Sequence, residues 1–127
     1  MTLAEAIRRL AMMGVEIYCK FCTVDSVDER ARTVDCTPLD ESAPLVGVNL
    51  QANQEGDTGV VCFPAVGSYV IVAFISPAVA AVVLCDKIDK AQLSIGKTQI
   101  TVDAEVVDVS LGDTSFRITP EGVLFNG

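Results

Sequence analysis

Apolar residues in the last third of the chain recur two apart, in groups of two or three. Each group begins five residues after the previous one ends, and the segments between groups are rich in turn-forming residues. A step of two keeps side chains on one face of a strand, and short polar inserts turn the chain. The pattern predicts five short strands that share one apolar face, formed by Leu93, Ile95, Ile100, Val102, Val107, Val109, Leu111, Phe116, Ile118, Val123 and Phe125.

A short internal repeat lies within this segment. Residues 94–102 align with residues 110–118 at an offset of 16, with Ser, Gly and Thr at matching positions. Repeats of this kind are typical of solenoid and fibre architectures. Gly96, Gly112 and Gly122 fall between the apolar groups, where glycine permits a tight turn.

The middle of the chain, residues 15–86, predicts a compact β unit. Several short strand-like runs separated by turn signals are typical of a small barrel or sandwich. We expect a Greek-key barrel of the OB type. The predicted strands are Ile17–Val27, Arg32–Pro38, Leu45–Leu50, Val60–Pro64, Tyr69–Ile75 and Ala78–Cys85.

The first segment, residues 1–14, predicts a short helix. Thr2 and Glu5 have the spacing of a capping box, and a glycine at position 14 ends the helical pattern. Its apolar stripe consists of Leu3, Ile7 and Leu10. We expect this stripe to pack on the chain's own barrel; the alternative is a neighbouring protein.

Charge and composition exclude several functions. The chain has 9 basic and 17 acidic residues, a net charge of −8, which disfavours binding to nucleic acid or to an anionic membrane surface. It has no histidine, the commonest general base and metal ligand. The uncharged run Tyr69–Cys85 is interrupted by Ser76-Pro77 and is shorter than the roughly 20 residues of a spanning helix, so it predicts two buried strands.

The cysteines and a group of aspartates are the remaining candidates for chemistry. An odd count of five cysteines fits a reducing cytoplasm. Cys19 and Cys22 have metal-site spacing, but on a strand their side chains point to opposite faces, so we expect the cysteines to act as small apolar residues. Turn formation explains Asp25, Asp28 and Asp35 better than a carboxylate or cation site does. We therefore predict no catalytic, cofactor or metal site.

The predicted apolar face needs a cover, because soluble monomers rarely leave such a patch open. Either the chain's own barrel covers it, or three copies wrap their ribbons about a threefold axis and pair their strand edges. We favour the trimer. Its predicted core is Ile95, Ile100, Val102, Val109, Leu111, Phe116, Ile118, Val123 and Phe125. The predicted water-facing side is Ser94, Thr101, Asp108, Ser110 and Arg117.

The order of elements resembles a known family. A short helix, an OB-like barrel, the connector Asp86–Lys90 and strand-turn repeats are similar to phage baseplate assembly protein V and the central spikes of contractile tails and type VI secretion systems. Residues 22–36 resemble the family's opening hairpin. Residues 59–74, with their Pro64-Ala65-Val66-Gly67 turn, resemble its most recognisable segment. The resemblance is closest to Bacteroides-type prophage forms.

The resemblance implies a mainly β homotrimer that is a structural protein and not an enzyme. Residues 87–127 would form an intertwined β-helix or β-prism needle that touches a membrane only while piercing it. The barrels would sit on a baseplate hub protein, and either a separate tip protein would cap the C-terminal end or the natural chain continues. The protein would be made in the bacterial cytoplasm and assembled into the virion tail baseplate or an injection apparatus.

Two other functions fit a barrel of this kind. One is an OB-type module that binds single-stranded nucleic acid or a ligand, which requires exposed aromatic residues and a basic groove. The aromatic residues of the barrel lie in apolar runs and are expected in its core: Tyr18, Phe21, Phe63, Tyr69 and Phe74. The other is a structural adaptor without a piercing role.

Overall fold

The computed structural model describes residues 2–13, 18–51, 54, 58–76 and 79–127, and of residues 10–13 it describes the backbone alone. The described chain is mainly β with a short helix. Its elements are α1 (Leu3–Met13), β1 (Tyr18–Asp28), β2 (Thr33–Pro38), β3 (Leu45–Asn49), β4 (Gly59–Pro64), β5 (Tyr69–Ser76), β6 (Val79–Cys85), β7 (Ile88–Ile95), β8 (Thr98–Asp103), β9 (Val107–Leu111), β10 (Thr114–Thr119) and β11 (Gly122–Asn126).

Five strands form the predicted barrel. They close in the order β1-β2-β3-β6-β5, with β5 pairing back to β1. All neighbours are antiparallel except β3 and β6, which are parallel. Alternate residues point inward, as expected for strands with one buried face. The buried cluster is Cys22, Val24, Val34, Cys36, Val48, Val70, Val72 and Phe74.

The strands predicted for residues 15–86 agree with the structure to within two residues at the bounds that it describes. The predicted connector Asp86–Lys90 is wrong in its second half, because β7 already begins at Ile88, where its pairing with β4 starts. Ile17 and Ala78, the predicted starts of two strands, lie outside the described residues. One assignment differs: β4, expected among the barrel strands, pairs with β7 in a second sheet. Val61 and Phe63 on one side of β4 are buried, and β4 contacts β1. Because β4 is apolar on both faces, its sequence does not reveal which sheet it joins.

Helix α1 packs against its own barrel, as expected. The hydroxyl oxygen of Thr2 accepts a 3.2 Å hydrogen bond from the backbone N–H of Glu5, which caps the first turn. Ala6 is buried with Ala73 and Ile75. The predicted stripe is wrong at Ile7, which is exposed. The small Ala6 side chain lets the helix approach the sheet closely, and this turns Ile7 toward solvent; the Leu10 side chain lies outside the described residues.

The second sheet is an antiparallel meander built on β4. Its strand order is β11-β10-β9-β8-β7-β4. Two-residue turns join β7 to β8 and β9 to β10, and each begins with a glycine at positive φ, 57° at Gly96 and 61° at Gly112. Gly122, at φ 140°, opens β11 after another turn. Two of the three predicted turn glycines are therefore in turns and the third directly follows one, and all three have conformations that other residues rarely adopt.

Backbone hydrogen bonds in the segments that connect the barrel and the second sheet extend the ladder of each. The N–H of Ala65, after β4, donates to the carbonyl of Lys87, just before β7, at 2.9 Å. The N–H of Asp86 donates to the carbonyl of Tyr69 on β5 at 3.0 Å. An ion pair of 2.9 Å joins Lys90 on β7 to Glu29 beside the barrel. The second sheet is thus attached through β4 and β7 together.

The uncharged run Tyr69–Cys85 contains the two predicted strands, β5 and β6. Among the described parts of the chain, no helix has both the length and the apolar character needed to cross a membrane.

Candidate functional site: an apolar face across six strands

The strand register aligns apolar side chains in rows across the second sheet. Directly paired residues of antiparallel strands point to the same face, so the pairing defines each row. The central row is Val60, Leu93, Ile100, Val109, Phe116 and Phe125. One flanking row is Cys62, Ala91, Val102, Val107, Ile118 and Val123. The other flanking row is Ile95, Thr98, Leu111 and Thr114. We call these three rows the apolar face.

All nine residues predicted for the trimer core lie on the apolar face. Ile95 and Leu111 belong to the flanking row that also contains two threonines, and the other seven belong to the central row or the Cys62 row. Phe116 and Phe125 stack in the central row, with ring centroids 5.6 Å apart. The five predicted strands therefore do share one apolar face.

Besides Ala91, Thr98 and Thr114, two members of the apolar face were not predicted from the sequence: Val60 and Cys62. They lie on β4, and both point to the side opposite the buried Val61 and Phe63. Their spacing of two residues is the same signal that identified the later groups. It was attributed to the barrel because β4 precedes two barrel strands in the chain.

The barrel of the same chain leaves the apolar face open. None of the face residues from β7 to β11 is buried, and Phe125 is 82% exposed. The exposed members are Val60, Ile95, Val102, Leu111, Ile118, Val123 and Phe125. The alternative in which this sheet folds onto its own barrel would have buried these side chains.

The opposite face of the second sheet is polar, as predicted. Ser94 and Ser110 lie in one row of this face, and Thr101, Asp108 and Arg117 lie in the next. The Arg117 guanidinium is 3.5 Å from the Asp108 carboxylate, so the two side chains are on the same side. On strands β8 to β11 the apolar exception is Leu124, which pairs with Arg117 and is 65% exposed. The two faces therefore differ sharply in polarity.

The strand edges are satisfied differently from the expectation. Each of β7 to β10 lies between two strands of the same chain, so its backbone groups do not need strands from neighbouring copies. Among the described strands, the order ends at β11, all of whose residues are exposed. The backbone pairing of β7 to β10 is therefore complete within one chain.

An apolar cleft of about 490 Å³ lies where the apolar face meets the barrel. Val60 and Cys62 of the apolar face form one side of it. Its barrel side includes Val83 on β6, and Ile88 at the start of β7 also lines it. The apolar surface therefore continues past β4 onto the barrel.

The cysteines behave as apolar residues where they are buried. Cys22 is fully buried and Cys19 is exposed, as expected for positions three apart on a strand. Burial raises the pKa of the Cys36 thiol to about 12, and the neighbouring Cys22 adds to this rise. Within the described residues, no group of three or more His, Cys, Asp or Glu side chains is arranged to hold a metal ion.

The three aspartates considered as a carboxylate site are used in local structure. Asp28 accepts a 2.9 Å hydrogen bond from the N–H of Ala31 in the turn after β1. Asp25 accepts a 2.6 Å hydrogen bond from the Thr37 hydroxyl. Asp35 accepts a 2.9 Å bond from the N–H of Gly47 on the adjacent strand. Each carboxylate thus serves the turn and hairpin that contain it.

The barrel aromatics differ in part from the prediction. Phe63 and Phe74 are buried, as expected, but Tyr18, Phe21 and Tyr69 are exposed. Tyr18 stacks on Phe74 at the open end of the cluster, with ring centroids 4.9 Å apart. Phe21 and Tyr69 point outward because their neighbours on the same strands point into the barrel. Alternation along β1 and β5 decides their position, and their apolar character does not.

Comparisons with known proteins give no relative for this chain: no protein-family model, no curated protein and no solved structure matches it. Its function is therefore argued from the geometry described above and from the resemblance of its sequence.

Proposed function

We propose that this chain is a structural component of a phage tail or related contractile injection machine, in which three copies form a membrane-piercing spike. The observation that carries the proposal is the open apolar face, with two rows that cross six strands and a third that crosses β7 to β10, backed by a polar face. A sheet with this asymmetry gains stability when its apolar side is removed from water. Copies of the same chain supply a cover of matching shape.

In the proposed trimer, each second sheet is one wall of a three-sided prism. The central row, from Val60 to Phe125, lines the threefold axis. The Cys62 row of one copy meets the Ile95 row of the next, because a cyclic trimer joins unlike surfaces of neighbouring subunits. This arrangement buries all three rows and leaves Asp108 and Arg117 in water.

Two copies packed face to face are the competing assembly, since they would also cover the apolar face. The threefold form is favoured by the resemblance to trimeric tail spikes and by the narrowness of the face, three side chains on each middle strand. The particle mass distinguishes the two assemblies directly.

The proposed mechanical role requires a stiff connection between needle and barrel. Six strands stacked at about 4.7 Å give a shaft of roughly 28 Å. The Lys90–Glu29 ion pair links its base to the barrel, and the Ala65–Lys87 and Asp86–Tyr69 backbone hydrogen bonds fix the two segments that connect the sheets. Strand β4 adds a full backbone ladder with β7. Axial load would therefore pass through several connections at once.

The remaining partners belong to the same proposal. The exposed barrel side chains Phe21, Leu39 and Tyr69 offer a surface for a baseplate hub protein. The exposed strand β11 is where a separate tip protein would bind. Contact with a membrane would occur only during piercing. The protein would be made in the bacterial cytoplasm and assembled into the tail baseplate or injection apparatus.

A pair of substitutions tests the proposed trimer. Phe116→Asp places a carboxylate in the central row of each copy, and a buried unpaired charge costs several kcal/mol. We expect this variant to be a folded monomer in size-exclusion chromatography with light scattering. Leu124→Asp introduces the same charge on the polar face and should leave the trimer intact.

The opposite results have distinct meanings. A Phe116→Asp variant that keeps the mass of three chains would exclude the central row from the interface. Dissociation by Leu124→Asp alone would place the interface on the polar face.

The gene neighbourhood separates a piercing spike from a plain structural adaptor. We expect genes for a sheath, a tube and baseplate wedges beside this one. A locus that lacks all three would contradict a role in a contractile machine, even if the protein is trimeric.

A nucleic-acid-binding barrel remains the alternative, and the exposure of Phe21 and Tyr69 is the observation in its favour. The charge of the chain argues against nucleic-acid binding. Lys20, beside Phe21, forms an ion pair of 3.1 Å with Asp40. Hydrogen bonds from Ser42, followed by the effect of Lys20, lower the pKa of Asp40 to about 2, so the pair stays ionised. The charge of Lys20 is thus already neutralised by Asp40, and the net charge of the chain, −8, would repel the phosphates of a nucleic acid.

A further inference from the structure

The apolar surface of this chain does not end where the five C-terminal strands end. Val60 extends the central row onto β4, and Cys62 extends one flanking row. Val60 is 63% exposed although the strand that carries it also has three buried residues, Val61, Phe63 and Pro64. The side of β4 that carries Val61 and Phe63 is therefore buried in the chain, and the side that carries Val60 is accessible to solvent.

The open side of β4 leads directly onto the barrel. The cleft beside it is lined by Val60 and Cys62, by Val83 on β6 and by Ile88 at the start of β7. Val83 is 51% exposed, and Ile88 is also exposed. These residues belong to three strands and two sheets, yet they form one continuous apolar surface with the three rows of the apolar face.

We propose that the surface by which copies of this chain bind one another extends past Val60 and Cys62 onto this junction, so that Val83 and Ile88 also contact a neighbouring copy. The inference rests on the proposed trimer and adds to it a base formed partly by the barrel. Because rows and cleft are continuous, a neighbour that covers the Cys62 row from Ala91 to Val123 also reaches Cys62 itself. In this arrangement the barrels also take part in the contacts between copies, in addition to the second sheets.

The neighbouring copy is the occupant that the surface chemistry favours. The cleft is lined mainly by aliphatic side chains and cysteines, with Asp86 as an acidic member. A sheet that carries apolar rows of the same spacing is complementary to it. A polyanion would meet a surface without a basic side chain in the lining that the structure describes.

Three valine substitutions test the inference. Val60→Asp and Val83→Asp should each raise the concentration at which the trimer dissociates by about tenfold or more, since a charge is forced into an apolar contact. Val46→Asp is the matched control: Val46 is 81% exposed and lies on the barrel strand β3, away from the cleft. The Val46→Asp trimer should dissociate at the same protein concentration as the wild-type trimer. Sedimentation velocity over a dilution series measures all three.

Alkylation of the native cysteines gives a second measurement that needs no change at the junction. Cys62 should react with a bulky maleimide at least tenfold more slowly in the wild-type trimer than in the Phe116→Asp monomer. Cys19, exposed on β1, should react at the same rate in both and serves as the internal control.

The outcomes separate this inference from the proposed function. A wild-type monomer would overturn both. A stable trimer that Val60→Asp weakens but Val83→Asp does not would overturn the inference and leave the spike intact, because Val60 and Cys62 already belong to rows that the proposed prism buries. A trimer that Val83→Asp also weakens, with a protected Cys62, would support the inference.

Discussion

At the scale of single residues, burial separates cysteines that look alike in the sequence. Cys22 and Cys36 are fully buried in the barrel core, whereas Cys19, three residues before Cys22, is exposed. Desolvation raises the pKa of both buried thiols, most clearly that of Cys36. These thiols are therefore neutral core residues over the whole physiological range.

The raised pKa of Cys36 predicts a loss of stability at alkaline pH. The unfolded thiol ionises near its ordinary pKa of 9.0 and the folded one near 12, so stability is full below 9 and falls as pH rises toward 12. Each pH unit above 9 costs about 1.4 kcal/mol, or about 2 kcal/mol at pH 10.5. Cys36→Val should remove this part of the loss.

Urea denaturation at pH 7 and pH 10.5, at one protein concentration, measures the effect. The wild-type protein should lose about 2 kcal/mol more than Cys36→Val between the two pH values. An equal loss in both proteins would show that Cys36 ionises as freely in the folded chain as in the unfolded one.

At the scale of elements, the sequence identified nearly every strand but not the partners of all of them. Alternation and turn residues are local, so the strands from β7 to β11 and the turns at Gly96 and Gly112 could be predicted. Pairing is a long-range property. Strand β4 is apolar on both sides, and nothing within its six residues distinguishes a barrel partner from β7. Val60 and Cys62 were missed for the same reason.

Helix α1 shows a second limit of local patterns. The sequence predicted Ile7 in the packed stripe, because large aliphatic residues usually face the core. The structure buries Ala6 instead, against Ala73 and Ile75 on β5. A small residue allows close approach of helix and sheet, and the distance between elements cannot be read from a helical pattern.

The packing of α1 predicts unequal effects at adjacent positions. Ala6→Asp should lower the free energy of unfolding by about 2 kcal/mol or more, because the carboxylate must either be buried or displace the helix. Ile7→Asp should change it by less than about 0.5 kcal/mol, since Ile7 is exposed. Urea denaturation of both variants checks this; similar losses at the two positions would contradict the described packing of the helix.

At the scale of the whole molecule, the chain combines a closed barrel with a second sheet that has one polar face and one uncovered apolar face. The barrel buries its own core and needs no partner for it. The second sheet has satisfied backbone pairing and a polar outer face, but its three apolar rows are uncovered by the described chain. The asymmetry of this sheet calls for a cover, and the resemblance of the element order to tail spikes favours three copies over two in the proposed assembly.

The mass of the wild-type particle tests the central claim most directly. Light scattering at micromolar concentration, with hydrogen exchange to verify that β7 to β11 are folded, should give three times the chain mass of 13.4 kDa. A particle of one chain mass with those strands protected from exchange would contradict the account, and a particle of two would replace the prism with a face-to-face dimer.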